Sequence, residues 1–479
     1  MAEPATVSHT AFWRTLWRWH FYAGLLVIPF ILVLSLSGAF YLFKPQVERW
    51  EERAFQNLPM ADPVSPSVQV AAALAVNPGA SLAFYRLPER AGDAAMVHLT
   101  LPGHGARHGA MRDVFVSPQG QVLGAIDPES RLIAWDRKLH GQLMLGRNGS
   151  ILVELLASWA IVLILSGLIL WWPKGRGAAG VLWPCLGRNG RPLWRDLHAV
   201  TGFWVAGLAL VLLFTGLPWA QSWGSAFKAV RAEFGLVKGA QDWSIGGKPA
   251  ADADDLHAEH DHAAMATRAG AHMPGMSHAI ANSLSVQDVA TLDRLIAVAA
   301  RENLAFPVQV VPPGKPAGEG GGGKPAKGWV IKSDSQNRPL RVTITYDTTG
   351  AHRLRREDFA DRHVIDRIVA YGVAWHEGQL FGWINQLVGL LTAAAVVLVA
   401  LSGFAMWRRR KPAGKLGAPP WSGQVLTSWP IRIALVALMA WLPLFTASLA
   451  VILLVERLAL RRIPSVARWL GLNDRRFAL

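Results

Sequence analysis

Four histidines stand in two matched registers along this chain. His20 precedes Gly24 by four residues and Gly38 by eighteen; His198 stands at the same distances from Gly202 and Gly216. His140 precedes Gly146 by six and Gly167 by twenty-seven, as His376 does Gly382 and Gly403. A single histidine at the end of an apolar helix is ordinarily an interfacial ring bonded to water or lipid. Four in repeated registers ask for more. Neutral imidazole is a strong axial ligand for haem iron, and one nitrogen from each of two helices makes a six-coordinate, electron-transferring centre.

The elements that must hold these rings are long apolar runs. The chain has 479 residues, 52% hydrophobic and 17% charged, with 22 tryptophans. About 20 apolar residues cross a bilayer core, and five runs qualify: Phe21–Phe43, Ile151–Trp172, Phe203–Trp219, Leu387–Trp407 and Ile433–Val455. Tryptophans flank them, as amphipathic rings do at a water–lipid boundary. The formal charge of +15 gathers in short loops beside the runs, notably "WWPKGRGAAGVLWPCLGRNGRPLWRD" and "WRRRKPAGK". That pattern is membrane orientation rather than nucleic-acid binding, and it puts the N-terminus in the cytoplasm. The fifth run would carry Arg457, Arg461, Arg462, Arg468, Arg475 and Arg476 outward. Either this tail breaks the rule or Pro443 turns the segment back as a hairpin; the reading adopted is a true fifth span. Cys185, the one cysteine, excludes an intrachain disulfide.

The expected order is a cytoplasmic stretch to residue 20, span one at 21–43 and an outer domain at 44–137. Span two with its histidine motif follows at 138–172, a cytoplasmic loop at 173–197 and span three at 198–219. A second outer domain covers 220–374 and span four with its motif 375–407. A cytoplasmic loop at 408–432, span five at 433–455 and a basic tail at 456–479 complete the chain. Each outer domain shows one helix signal, "SPSVQVAAALAV" or "SVQDVATLDRLIAVAARE", followed by short strand signals. The fold class is therefore an α-helical membrane protein. Duplicated two-helix units form a four-helix haem-binding bundle, beside a fifth span and two small α+β outer domains.

Pairing follows from that order. His20 and His198 lie at inner helix ends, His140 and His376 at or above outer ones. Eighteen helical residues span roughly 27 Å, so His20 pairs with His198 inside and His140 with His376 outside. Two haems so placed make an electron path across the membrane. The matched glycines give room for a flat macrocycle between helices, or for close helix packing through small residues.

"WRWHFYAG…LSLSG", "WRDLHAVTG…LFTG" and the paired "LHGQL" and "WHEGQLFG" resemble the PepSY-associated transmembrane family. The likeness covers spans one to four and, more loosely, both outer domains, which resemble PepSY modules. It implies a bacterial inner-membrane protein with bis-histidine b-type haem, passing electrons outward to a periplasmic metal complex, a ferric siderophore above all. The chain has no dinucleotide fingerprint, so a cytoplasmic flavin, a flavoprotein or a quinol must supply the electrons.

Between the third and fourth runs lie His257, His260, His262, His272 and His278 with Met265, Met273 and Met276. Imidazole with thioether suits copper, and imidazole with carboxylate suits zinc or cupric ion. The stretch is either a loose capture site for copper or iron, or a polar loop with no ligand. "GKPAGEGGGGKPAKG" has phosphate-loop spacing from Gly318 to Lys324, but Pro325 replaces the required hydroxyl; it reads as a flexible linker. Glu154, Asp366 and Glu377 are carboxylates that could relay protons or orient an imidazole, and His363 competes with His376 for the outer ligand position. Two other classes of function stay open: a metal-handling or transport protein without redox chemistry, and an anchored PepSY regulator. Against transport, the span interiors are almost free of charge.

Overall fold

The structure, a computed structural model, describes residues 5–102, 110–172, 180–187, 189–236, 244–245, 248–249, 286–315, 325–419 and 429–472. It divides into two units. One comprises Met1–Leu42, Leu139–Ser225 and Gln386–Leu479; the other comprises Phe43–Lys138 and Ala226–Asn385.

The first unit is helical. Its long apolar helices are α1 (Ala5–Tyr41), α5 (Gly146–Trp171), α6 (Arg191–Gly216) and α10 (Trp383–Arg410). With the stretch Pro443–Leu460 they give five segments long and apolar enough to cross a membrane. All four long helices begin before the apolar runs read from sequence, because more polar turns at their N-terminal ends continue the helical hydrogen-bond ladder; only α10 also extends past its run at the other end. The α1–α5 seam is apolar: Ala23, Val27, Leu156 and Ile161 are buried there with Leu442 and Phe445.

The fifth run is not one helix. It is broken at Leu442 into α11 (Trp429–Trp441) and α12 (Pro443–Val455). A residue preceding proline is pushed out of the helical region, and Leu442 sits at φ −115°, ψ 78°. Trp441 at this break packs on Phe214 and Trp223, with ring centres 5.0 and 6.4 Å away, at the far end of α6 from His198. α12 then runs along α5, with Trp159 Nε1 donating to Ser448 Oγ at 3.1 Å. Beyond it α13 (Pro464–Leu470) reaches the N-terminal part of α1. Arg18 donates to Gly471 O at 2.7 Å and to Pro419 O at 2.6 Å, and Leu416 N donates to Trp469 O at 2.9 Å. The segment folds back about Leu442 as a hairpin, and its second limb, Pro443–Leu460, is the one long and apolar enough to cross a membrane. Arg468 lies on the short helix whose end meets Arg18.

The second unit holds the strands. α3 (Pro66–Ala75) precedes β1 (Ser81–Arg86), β2 (Ala95–Thr100), β3 (Met111–Val116) and β4 (Val122–Ile126). α8 (Val286–Arg301) precedes β5 (Val308–Val311), β6 (Val330–Ser333), β7 (Thr343–Tyr346) and β8 (Arg353–Glu357). Each half follows the helix-then-strands order expected. The halves are not two separate domains, however. They share one eight-stranded sheet in the order β8-β7-β6-β5-β1-β2-β3-β4. β1 and β5 pair antiparallel at the centre, Tyr85 opposite Val310 and Arg86 opposite Gln309. Joining them removes two open sheet edges, which otherwise invite unwanted pairing. One core serves both halves, with Val70, Val97, Leu292, Trp329 and Ile344 all buried in it. Asp293 of α8 accepts from Ser67 N at 2.8 Å and Ser67 Oγ at 2.6 Å, which ties the helices together.

Shorter helices among the described residues include α2 (Lys44–Glu51), α4 (Leu132–Gln142), α7 (Gln221–Glu233) and α9 (Val364–His376).

Candidate functional site

His20, His140 and His198 of the first unit each meet a serine-bearing turn of a neighbouring helix. His20 Nδ1 lies 2.9 Å from Ser166 Oγ, and Ser166 Oγ donates to Leu163 O. With the serine proton on that carbonyl, Nδ1 is the donor toward the serine. His140 Nδ1 lies 3.0 Å from Ser37 Oγ, which donates to Val33 O at 2.8 Å. His198 Nδ1 donates directly to Val399 O at 2.8 Å, with Ser402 Oγ alongside at 3.4 Å. Val399 O, which can only accept, fixes His198 as the Nδ1–H tautomer, and the serine-to-carbonyl bonds favour the same tautomer for His20 and His140. Each Nε2 therefore keeps its lone pair, the form in which histidine ligates a metal while donating its other N–H.

The glycine after each serine makes the room. A Cβ at Gly167 would stand 3.2 Å from His20 Cε1, one at Gly38 2.9 Å from His140 Cε1, and one at Gly403 3.3 Å from His198 Cε1. These glycines thus accommodate imidazoles, which refines the expectation that they clear space for a macrocycle. Gly24 and Gly202 face Leu163 and Val399 at ordinary contact distance, the close-packing role. Sequence reasoning missed the serines. Their signal was present: "LSG" ends spans one, two and four, and Thr215–Gly216 takes the same place in span three.

His20 and His198 come together. Their ring centres are 6.4 Å apart with planes at 86°. A metal bound by two imidazoles sets ring centres about 6 Å apart, since each metal–nitrogen bond is roughly 2 Å and each nitrogen lies about 1 Å from its ring centre. Both residues are half-buried. The residues present fit a bis-imidazole iron. His140 sits at the other end of α1, by Gly38, roughly 27 Å along the helix from His20.

His376 ends α9 in the second unit. Asn385 fixes the turn after it, its Nδ2 donating to Trp375 O at 3.2 Å and its Oδ1 accepting from Leu380 N at 3.1 Å. Gly382, six residues on, has φ +58°; Gly146, six residues after His140, also has φ +58°. Only glycine takes that conformation freely, so the shared spacing reflects the same chain reversal before α10 and α5.

The secondary candidates resolve into supports. Glu154 accepts from Ser222 N at 2.7 Å and Trp223 N at 3.0 Å, capping the start of α7. His363 Nδ1 accepts from Ile365 N and caps α9. Asp366 pairs with buried Arg231 at 2.8 Å; burial outweighs the arginine and raises its carboxyl above the usual range. Glu377 faces Arg338 at 3.4 Å. The segment with His257, His260, His262, His272, Met273, Met276 and His278, like the stretch 316–324, lies outside the described residues. Among the described residues no group of three or more His, Cys, Asp or Glu side chains converges as a metal site.

Five helices among the described residues, each long and apolar enough to cross a membrane, define a multi-pass membrane protein. The chain belongs to the PepSY-associated TM region family, whose model matches residues 17–410. None of the curated proteins matches it.

Proposed function

We propose that the protein is an inner-membrane di-haem b-type reductase, taking electrons from a cytoplasmic flavin, flavoprotein or quinol. Its electrons go to a periplasmic metal chelate, a ferric siderophore being the substrate of choice. The observation that carries this reading is the His20–His198 separation of 6.4 Å with both Nδ1 protons engaged elsewhere. His20 and His198 would hold the inner haem, and the sequence repeat assigns His140 and His376 to the outer one. Haem so ligated supplies one-electron transfer without an open coordination position. The chain's own part is to fix the tautomers through Ser166, Val399 O and Ser37, and to keep the rings apart from bulk water. Reduction of ferric to ferrous iron weakens hard oxygen chelation, which is how such an activity would release the metal. The positive charge in the loops beside the helices supports a cytoplasmic N-terminus.

The protein purified in mild detergent from haem-replete cells should be red, with a Soret band that shifts on dithionite reduction. His20→Ala and His198→Ala should each remove one haem. A folded, colourless preparation overturns the proposal.

A further inference from the structure

We propose that Arg410 and Arg191 bind the propionate carboxylates of the inner haem, and so set which way the macrocycle faces between His20 and His198. The inference rests on the proposed reading of those histidines and adds anchoring groups to it. Both arginines stand in register with the site. Arg191 precedes His198 by seven residues on α6. Arg410 follows Gly403, the glycine packed against His198, by seven on α10. Seven residues make almost two helical turns, so each arginine shares a helix face with its reference residue and lies roughly 10 Å along the axis. That offset is close to the reach of a haem carboxylate from its own iron. Both offsets fall on one side of the site, since Arg191 is near enough to act on Arg410 by like-charge repulsion.

The Arg410 guanidinium is held in place by the first helix. It lies over the rings of Trp17 and Phe21, 4.9 and 5.2 Å from their centres. These residues stand three before His20 and one after it on α1. Arg410 Nη2 also donates to Gly417 O at 2.8 Å, which tethers the chain beyond α10. A guanidinium stacked on two aromatic faces has little freedom to swing, and its planar fork suits the oxygen pair of a carboxylate. Arg410 is half-buried and Arg191 exposed. Two cations held near one another repel, and an anionic group between them replaces that repulsion by attraction. Haem presents its carboxylates as a pair on one edge, which matches a pair of arginines at one end of the site. A lipid phosphate carries the same charge, and the test separates the two.

The full chain in mild detergent, prepared free of haem, is titrated with haem or with its dimethyl ester, in which the carboxylates are masked. The binding step missing from His20→Ala identifies the inner site. Arg410→Gln should weaken that step about tenfold for haem and leave it unchanged for the ester. Arg410→Lys should keep most of the haem affinity. Arg191→Gln, at an exposed position, should act in the same sense as Arg410→Gln without disturbing the fold. The proposal is overturned if inner haem affinity is the same in both glutamine variants and the wild type. Equal losses for haem and ester overturn it too, since they mark a structural role through Gly417 or a lipid contact. A wild type that binds neither porphyrin sinks the histidine reading and this proposal together. Binding of both porphyrins with no effect of either arginine condemns the arginine assignment alone.

Discussion

A serine and a glycine in sequence settle where each imidazole of the membrane unit points. Ser166→Ala removes the acceptor for His20 Nδ1 but leaves the ring its space against Gly167. Haem should stay bound, with affinity lowered roughly 10–100-fold as for other losses of a ligand's hydrogen-bond partner; haem titration of the apoprotein measures this. Gly167→Val is the harsher change, because the new Cβ meets His20 Cε1 at 3.2 Å and its γ-methyls come closer still. It should cost the inner haem while sparing the outer, read from the pyridine haemochrome. If both variants bind haem like the wild type, the Ser–Gly pairs have no part in seating the ligands. At Asp136 the chemistry concerns stability instead. Burial pushes its carboxyl up to about 7 from 3.8, so the folded state prefers the protonated form. Its contribution is whole below about pH 4 and lost as pH rises through 7. Thermal melts of the wild type should therefore weaken over that interval, and Asp136→Asn should flatten the dependence.

Among the elements, the long apolar helices and the strand sets were legible because burial repeats along them with a clear period. "SVQDVATLDRLIAVAARE" and "LRVTITYDTTGAHR" fold as the helix and hairpin their patterns indicate, with Gly350 at φ +65° in the turn. The pairing of β1 with β5 was not legible. It rests on two residue pairs more than two hundred positions apart, and no local pattern records a long-range register. The tail hairpin was half legible: Pro443 raised it and the arginines favoured it, but hydropathy alone reads through a single proline. What decides it is the anchoring of α13 by Arg18 and Leu416, which only the folded chain displays. Topology reporters offer a direct check. Fluorescent protein fused to the N-terminus and to the C-terminus should report the same side of the membrane, where the sequence reading would set them on opposite sides. Opposite sides would rule out the hairpin.

At the scale of the whole molecule, two copies of one plan are fused differently in the two units. In the sheet unit the copies share a core, so damage to one must reach the other. Trp329, fully buried just before β6, belongs to the same core as Val97 and Leu99 of the first half. Trp329→Ala should cost about 3–5 kcal/mol and raise hydrogen exchange on β2 as well as on β6. In the membrane unit the copies keep their histidine sites apart, by His20 at one end of α1 and His140 at the other. Damage there should stay local. His20→Ala and His140→Ala are each expected to leave one haem of two, with different spectra remaining, because roughly 27 Å of helix separates the rings. In vesicles either variant should block passage of electrons across the bilayer while its surviving haem still responds to a reductant added on its own side. Loss of both haems from either substitution would mean a single cooperative site, and two independent centres along one helix could not then be the basis of the activity.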